Sequence, residues 1–293
     1  MKLVTFTQEG KRRIGVIDDN GIVDLSTAAP ALPRTMGELI AGGDEAMQAV
    51  RTAVAKTTER LPRDAVRLEA PLGRPPKILA IGLNYADHVA ESGLQNPKHQ
   101  IWFNKQANTV TGPEDNIVIP AVAPNFVDYE AELCLIIGRH CRHVPRERAA
   151  EVIFGYTCGN DVSVRDWQRR TPQFTLGKSF ASHAPLGPWI VTSDEFGDPH
   201  NKELKCFVND EARQASNTRH LIFNCFEQIA ELSQAFALEP GDVIFTGTPA
   251  GVGAAMKPPQ FLQAGDRVRV EIEGIGSLEN TCVLEKDTGM IIR

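Results

Sequence analysis

The sequence contains little that points to a nucleic acid, a membrane or a disulfide framework. Lys and Arg total 31 against 37 Asp and Glu, so the net charge of -6 leaves no basic excess for binding nucleic acid. The longest apolar runs, such as residues 133–138, are far too short to cross a bilayer. The six cysteines stand singly, without the spacing of a zinc or redox motif. We therefore expect reduced thiols in a cytoplasmic protein that binds neither nucleic acid nor membrane.

The chain of 293 residues is long enough for one large domain or for two. Its first 30 residues are typical of short strands, and residues 36–60 have near-helical apolar spacing that is interrupted at Gly42 and Gly43. Residues 61–77 hold four prolines and several charges, which is typical of a linker. We predict a small N-terminal α/β domain at 1–70 and a larger domain at 71–293.

Strands dominate the rest of the sequence. The predicted strands are 78–83, 127–138, 189–192, 204–208, 242–247 and 267–272. One amphipathic helix is predicted at 221–236, where apolar residues recur at helical spacing. Strands and helices do not alternate regularly, so the sequence predicts an α+β fold that is mostly β.

Two carboxylates share one face of the strand at 127–138. Alternate residues of a strand point to the same side, which places Glu130 and Glu132 together on a face that continues into Cys134 and Ile136. Two carboxylates near an apolar interior repel each other strongly, and a bound cation removes this conflict. Ligands that are all oxygen suit Mg²⁺, Mn²⁺ or Ca²⁺.

An exposed strand edge with both glutamates in water is the alternative, and the strand alone does not decide between the two. A third acid favours the metal site. Asp161 follows the apolar stretch at 152–158 and could reach the same place. We therefore interpret Glu130, Glu132 and Asp161 as candidate metal ligands.

A histidine and a glutamate stand three residues apart just after the buried strand at 78–83. If residues 84–93 are helical, His88 and Glu91 lie on one face, where the carboxylate would orient the imidazole and raise its basicity. Such a pair is a general base able to activate water. The alternative is an ordinary surface pair, but the position after a buried strand favours a functional role.

Further polar groups follow in the chain. Arg165 and Gln168 would share a helix face and, with Lys178, could bind a substrate carboxylate or an oxyanion, although arginines on a helix are commonly solvated. The loop at 247–253, which begins with Gly247 and Thr248, has no Gly-Lys-Ser/Thr and is not a nucleotide loop. Backbone N–H groups of such a tight loop can approach a small anion.

Taken in order, these segments resemble the fumarylacetoacetate hydrolase family, and in particular its acylpyruvate and fumarylpyruvate hydrolases. The resemblance runs from about Ile78 to Cys282. Its landmarks are residues 82–88, 103–105, 128–133, 155–156, 160–168, 177–180, 185–188 and 246–253.

The resemblance implies a mixed β-sandwich roll with a small N-terminal domain, often assembled as a homodimer. It implies that Glu130, Glu132 and Asp161 bind Mg²⁺ or Mn²⁺, with Ca²⁺ a further candidate in crystals. It also implies that His88 and Glu91 form a water-activating pair on a lid. The remaining implied contacts to substrate or oxyanion are Arg165, Gln168, Lys178, Gly247 and Thr248.

The implied activity is hydrolysis of a carbon–carbon bond in a small β-diketo acid through an enolate that the metal holds. Family members also include oxaloacetate decarboxylases and hydroxymuconate-type isomerases, which need no attacking water, so these activities are the alternative. A non-catalytic ligand-binding protein on the same scaffold is a more remote alternative. We expect a small keto acid as the substrate, and residues 84–100 to be mobile without it.

Overall fold

The computed structural model describes residues 1–286 and 289–290. Its strands, in chain order, are β1 (Lys2–Gln8), β2 (Lys11–Asp18), β3 (Gly21–Asp24), β4 (Arg67–Glu69), β5 (Ile78–Gly82), β6 (Ile101–Lys105), β7 (Val110–Thr111), β8 (Asn116–Ile119), β9 (Val127–Asp128), β10 (Ala131–Ile137), β11 (Ile153–Asn160), β12 (Ser163–Val164), β13 (Ala184–Thr192), β14 (Glu203–Val208), β15 (Glu211–Asn217), β16 (Val243–Phe245), β17 (Arg267–Ile272) and β18 (Gly276–Leu284).

The helices are short and lie between these strands. They are α1 (Leu25–Ala28), α2 (Met36–Ala41), α3 (Gly43–Lys56), α4 (Ala86–Glu91), α5 (Arg165–Gln168), α6 (Ser193–Phe196) and α7 (Cys225–Ala235). Short 3₁₀ helices lie at Arg63–Ala65, Ala107–Thr109, Arg146–Val152, Thr218–His220 and Gly253–Ala255. Within the described residues, no helix has the length and apolar character needed to cross a bilayer.

In the described part of the chain, the strands form two main sheets. The largest has 11 strands in the order β3-β2-β1-β13-β11-β10-β16-β5-β6, with β4 beside β1 and β7 beside β13. A sheet of five strands has the order β15-β14-β17-β18-β8, and β9 pairs separately with β12. Most neighbours are antiparallel, and the helices do not alternate with them. The predicted α+β class, mostly β, is confirmed.

The N-terminal strands continue the largest sheet. β1 pairs antiparallel with β13, and β4, which lies inside the predicted linker at 61–77, pairs with β1. The helical stretch predicted at 36–60 consists of α2 and α3, and Gly42 lies between them as the C-cap of one and the N-cap of the other. The division into domains at residue 70 stays a prediction.

Strand β10 lies between two hydrophobic clusters, one on each of its faces. Leu133 and Leu135 belong to one cluster, whereas Cys134 and Ile136 belong to the other. Burial of both faces explains why this strand has a nearly continuous apolar run rather than a strict alternation with polar residues. Glu132 near its N-terminal end, and Glu130 just before the strand, are therefore held in buried positions.

The amphipathic helix predicted at 221–236 is α7, which begins at Cys225 and ends at Ala235. Asn224 accepts backbone hydrogen bonds from Phe226 and Glu227, and the Glu227 carboxylate accepts the N–H of Asn224 in return. This capping box satisfies donors that would otherwise be unpaired at the helix N-terminus, which fixes the first residue of the helix.

Candidate metal centre and active site

Three carboxylates meet at the N-terminal end of β10. One oxygen from each of Glu130, Glu132 and Asp161 lies within 4.8 Å of the other two, and all three residues are buried. β11 pairs antiparallel with β10, with Asn160 opposite Ala131, so the chain places Asp161 beside Glu130. The backbone N–H of Asp161 donates to the Glu130 carbonyl at 2.9 Å. The structure thus brings the predicted ligands together, although metal binding itself stays a prediction.

Buried cations pair with two of these carboxylates. Lys178 Nζ donates to Glu130 Oε2 and Asp161 Oδ2, each at 2.7 Å. Lys105 Nζ donates to the other oxygen of Asp161 at 2.6 Å, and Arg165 Nη1 donates to Glu130 Oε1 at 2.6 Å. Burial alone would raise the pKa of Glu130, but Lys178 and Arg165 lower it to about 2. Glu130 therefore remains ionised inside the protein.

Glu132 lacks such a partner. Within residues 1–286 and 289–290, no Lys or Arg pairs with its carboxylate, and Gly247 N–H donates to Oε2 at 2.6 Å. Burial raises the pKa of Glu132 well above its ordinary value, and the nearby charges of Asp161 and Glu130 raise it further. The carboxylate is thus a buried charge that needs either a proton or a further cation.

A divalent cation fits this centre. The donor set consists of carboxylate oxygens, which are the ligands that Mg²⁺ and Mn²⁺ prefer. A cation beside Glu132 would give it a direct partner, which no Lys or Arg of the described residues provides, although the charge of Lys178 acts on it from nearby. The arrangement could hold a metal ion, and the donor chemistry favours a hard, oxygen-binding one.

Asp128 is a fourth buried carboxylate, which the sequence analysis did not select. Arg165 Nε donates to its Oδ2 at 2.8 Å, and the backbone N–H groups of Gly253 and Ala254 donate to its two oxygens at 2.8 and 2.9 Å. Asp128 therefore fastens the glycine-rich loop to the strand that carries the acid cluster. The signal in the sequence was its place two residues before Glu130, next to an apolar run.

Lys105 is the second site residue that the sequence analysis missed. It ends β6, where it shares the buried face of the strand with Phe103, and it is only 2% exposed. Burial lowers the pKa of Lys105, and the charge of Asp161 opposes this effect. A lysine on the buried face of a strand was the available signal, because burying this charge is costly unless an acid pairs with it.

The predicted histidine–glutamate pair forms as expected, on the short helix α4. His88 Nδ1 lies 3.3 Å from Glu91 Oε1, and the backbone N–H of Gly251 donates to Glu91 Oε2 at 2.8 Å. Because Nδ1 faces the carboxylate, Nε2 is the ring nitrogen left for other contacts. His88 and Glu91 line a cavity of about 450 Å³ together with Glu130 and Glu132.

The segment predicted to be a mobile lid at 84–100 is anchored at its beginning. Asn84 is buried, its Nδ2 donates to the carbonyls of Phe223 and Thr246 at 2.9 and 2.7 Å, and its Oδ1 accepts the N–H of Phe223 at 2.8 Å. Tyr85 is also fully buried. Val89 of α4 is buried as well, whereas residues 92–96 are exposed. The mobility of this part stays a prediction.

The glycine-rich loop approaches an anion, as predicted, but that anion belongs to the protein. Gly247 N–H donates to the Glu132 carboxylate. The Thr248 hydroxyl donates to the Ala131 carbonyl at 3.0 Å and accepts from Gln214 at 2.8 Å. Thr248 lines the same cavity, whereas Gly247 does not and instead binds the Glu132 carboxylate of the acid cluster.

The two groups predicted on α5 also meet. Arg165 Nη1 donates to Gln168 Oε1 at 3.0 Å, and both residues line the cavity. Arg165 is buried and paired with Asp128 and Glu130, so its first role is to hold the acid cluster in place. Contact of these groups with a substrate stays a prediction.

Comparison with known proteins supports the same family. The sequence profile described as fumarylacetoacetate (FAA) hydrolase C-terminal matches residues 77–283. The chain is 43% identical over 264 residues to oxaloacetate tautomerase Fahd2a, mitochondrial, from Rattus norvegicus, covering 90% of this chain and 84% of the relative. It is 43% identical over 289 residues to oxaloacetate tautomerase fahd2, mitochondrial, from Xenopus laevis, covering 97% and 90%.

Solved structures share the fold over the whole chain. A maleylpyruvate hydrolase from Sphingobium sp. SYK-6, in complex with manganese(II) and pyruvate, is 34% identical with a TM-score of 0.82, covering 98% of this chain and 100% of that one. A 5-carboxymethyl-2-hydroxymuconate delta-isomerase from Mycobacterium smegmatis is 35% identical with a TM-score of 0.77 and the same coverage. These neighbours confirm the predicted fold type.

Two of the sequence-based expectations change with these findings. The relatives from rat and frog are named as mitochondrial, which contradicts the prediction of a cytoplasmic location. Their names also support the alternative of an isomerase-type activity better than the hydrolysis that was ranked first. The family model covers most of the chain, the identities exceed 40%, and the solved neighbours are enzymes. The chain therefore belongs to the fumarylacetoacetate hydrolase family of enzymes.

Proposed function

We propose that this protein is a metal-dependent tautomerase that interconverts the enol and keto forms of a small 2-oxo dicarboxylic acid of the oxaloacetate type. The observation that carries the proposal is the cavity of about 450 Å³ in which the His88–Glu91 pair and the carboxylates Glu130 and Glu132 share one space. The identity to proteins named oxaloacetate tautomerases supports this choice of reaction.

Glu130, Glu132 and Asp161 are the residues that would hold Mg²⁺ or Mn²⁺ in this proposal. A divalent ion bound there supplies a Lewis acid that stabilises negative charge on the 2-oxygen of the substrate. The surrounding cations prepare the centre, because Lys178 holds Glu130 and Asp161 in one orientation through two hydrogen bonds of 2.7 Å. The acids thus need little reorganisation to accept an ion.

The reaction moves one proton from the 2-hydroxyl of the enol and adds one proton at C3, so no water or redox partner is consumed. His88 is the group proposed to carry the proton to and from C3. Its Nδ1 contacts Glu91 at 3.3 Å, which would fix the tautomer and leave Nε2 for the transfer. Lys178 is 2% exposed and would donate toward charge that develops on oxygen.

The substrate contacts in this proposal are Gln168 and Thr248, which line the cavity beside the acid cluster. Arg165 would act through Gln168, since its guanidinium is already paired with Asp128 and Glu130. The homodimer expected from the family resemblance is part of the proposal and is open to a simple sizing measurement.

Hydrolysis of an acylpyruvate is the second candidate. Its support is that the same His88–Glu91 pair could deprotonate a water molecule, and that a maleylpyruvate hydrolase shares the fold with a TM-score of 0.82. Decarboxylation of oxaloacetate would use the same acid cluster without water.

A single panel of substrates separates these reactions. The enol form of oxaloacetate is dissolved with protein and Mg²⁺ or Mn²⁺, and the loss of its ultraviolet absorbance is compared with the spontaneous rate. CO₂ release from oxaloacetate and cleavage of acylpyruvates in ¹⁸O-labelled water are measured in parallel. Faster enol decay without these other products supports the tautomerase, whereas labelled carboxylic acid together with unchanged enol decay would replace it with the hydrolase.

The role of the histidine–glutamate pair is tested with Glu91→Gln. Since general acid–base catalysis contributes roughly 10²–10⁴-fold, we expect a loss of at least about tenfold in the enol decay rate. Glu151→Gln is the matched control, because Glu151 is also the second member of an i,i+3 pair, with Arg148, but lies on the surface. Equal rates for both variants would remove the pair from the mechanism.

A further inference from the structure

The cavity of the candidate active site is lined by three Lys and Arg side chains, and two of them are already paired. Arg165 contacts Asp128 and Glu130 at 2.8 and 2.6 Å. Lys178 contacts Glu130 and Asp161 at 2.7 Å each. Both cations are buried and already paired with the acids that form the centre, so neither is free to pair with a second carboxylate of a substrate.

Arg169 is the third cation of this lining. It is the C-cap residue of α5, it is exposed, and it lines the cavity next to Gln168. Its backbone N–H bonds to the Arg165 carbonyl at 3.1 Å, but in the part of the chain that the structure describes its guanidinium has neither a hydrogen bond nor an acid partner. Its charge is therefore available to a ligand.

The neighbouring Arg170 behaves differently. Its guanidinium stacks on the Trp167 ring at 3.8 Å from the ring centre and lies 3.9 Å from the Asp166 carboxylate. It does not line the cavity. Of the two adjacent arginines, only Arg169 lines the cavity, and within the described residues it is the only unpaired Lys or Arg that does so.

A 2-oxo dicarboxylic acid carries a negative charge at each end. One carboxylate and the adjacent carbonyl would lie at the acid cluster with its metal, which leaves the second carboxylate at the other end of the cavity. The acidic residues of the lining, Glu91, Glu130 and Glu132, would repel a second carboxylate that has no cation beside it. A planar guanidinium is well suited to bind a carboxylate through two parallel hydrogen bonds.

We propose that Arg169 binds the distal carboxylate of the substrate and makes the site selective for dicarboxylic over monocarboxylic 2-oxo acids. This inference rests on the proposed function, because it assigns a residue to the second carboxylate of that substrate class. It adds an exposed specificity-determining residue to the cavity lining, separate from the groups that move protons.

The test measures binding, not turnover. Isothermal titration calorimetry with Mg²⁺ present compares 2-oxoglutarate with 2-oxopentanoate, which has a methyl group in place of the distal carboxylate. The wild-type protein should bind 2-oxoglutarate more tightly. Because an exposed guanidinium is partly screened by water, Arg169→Gln should weaken the binding of 2-oxoglutarate roughly tenfold, or about 1.4 kcal/mol, and leave the binding of 2-oxopentanoate unchanged.

Arg170→Gln is the matched control, since it removes one positive charge from the next residue without touching the cavity. It should change neither affinity by more than about twofold. The inference is overturned if the wild-type protein shows no preference for 2-oxoglutarate, if Arg169→Gln weakens both ligands equally, or if Arg170→Gln has the same effect. Failure of the proposed function is a separate result, because it shows as unaccelerated enol decay by the wild-type protein.

Discussion

Replacing Glu132 by glutamine should raise the stability of the metal-free protein and abolish its response to metal. Glu132 is 1% exposed, and its carboxylate lies within 4.8 Å of Glu130 and Asp161. At an effective dielectric constant of about 20, two unit charges at this distance repel by about 3.5 kcal/mol. Lys178, which lies among these acids, offsets part of this repulsion. We therefore expect Glu132→Gln to raise the free energy of unfolding of the metal-free protein by on the order of 1–3 kcal/mol.

The glutamine should not disturb the fold, because its side-chain oxygen can still accept the N–H of Gly247. The unfolding entropy of a chain of 293 residues is about 0.6 kcal/mol/K, taking about 2.1 cal/mol/K per residue. The expected gain therefore raises Tm by about 2–5 °C in the presence of a chelator. Differential scanning calorimetry or a fluorescence melt measures this shift.

Metal should stabilise the wild-type protein but not the Glu132→Gln variant. At a Mn²⁺ concentration of about 100 Kd, a ligand bound only to the native state adds about 2.7 kcal/mol, or about 4 °C, to the wild-type protein. Mn²⁺ should add almost no stability to Glu132→Gln, because one of the three candidate ligands has lost its charge.

Glu69→Gln is a matched control for this experiment. Glu69 is a mostly buried strand glutamate, but it pairs with Arg67 at 3.0 Å. The same chemical change there removes an attraction, so stability should fall by up to about 1 kcal/mol while the Mn²⁺ response stays intact. The reasoning is refuted if metal-free Glu132→Gln is less stable than the wild-type protein, or if Mn²⁺ stabilises both equally.

Three further outcomes follow from the same contacts. Asp128→Asn should lower the free energy of unfolding, measured in urea, by about 3–5 kcal/mol, because the buried Arg165 loses one of its acid partners. A decrease below about 1 kcal/mol would contradict this prediction. The raised pKa of Glu132 stabilises the metal-free wild-type protein fully below about pH 4.5, where the carboxyl is protonated in both the folded and the unfolded chain. This stabilisation should be lost as the pH rises toward the raised pKa of the folded protein, and the loss should be absent from Glu132→Gln. Oxalate with Mn²⁺ should increase hydrogen-exchange protection at residues 86–100, and equal protection without ligand would refute the lid.

The sequence was sufficient to predict the chemistry of β10 because strand geometry repeats every two residues. Once residues 127–138 are taken as a strand, Glu130 and Glu132 must share a face, and the structure places their carboxylates together. Asp161 could be suggested only from its place after an apolar run. Its proximity depends on the pairing of β11 with β10, which joins residues about 30 positions apart.

The same rule misleads at Asp128. A period of two puts Asp128 on the face of Glu130, but the strand is interrupted there, since β9 ends at Asp128 and β10 begins at Ala131. The carboxylate turns instead toward the loop at 253–254. No local pattern reports such a break, because Asp128 is also bound by partners distant in the chain, Arg165 and the loop at 253–254.

The cations of the site were the least predictable part. Arg165 and Lys178 were predicted to contact the substrate, and both line the cavity, but the sequence did not indicate that both also pair with buried acids. The sequence shows each charged residue by itself, whereas in the structure the buried cations and acids pair with one another in one network. Arg169, which the sequence analysis passed over as one of several arginines, is distinguished only by having no acid partner within the described residues.

Glu91 contacts two parts of the molecule with its two oxygens. One oxygen lies 3.3 Å from His88 on the same helical turn, and the other accepts the N–H of Gly251 across the cavity. The first contact would travel with α4 wherever the helix goes, while the second exists only when the helix meets the loop. If α4 moves as the predicted lid, the orientation of the histidine and the closing of the cavity would depend on different atoms of one side chain. Substitutions in the loop would then change how long the site stays closed without changing the contact between Glu91 and His88.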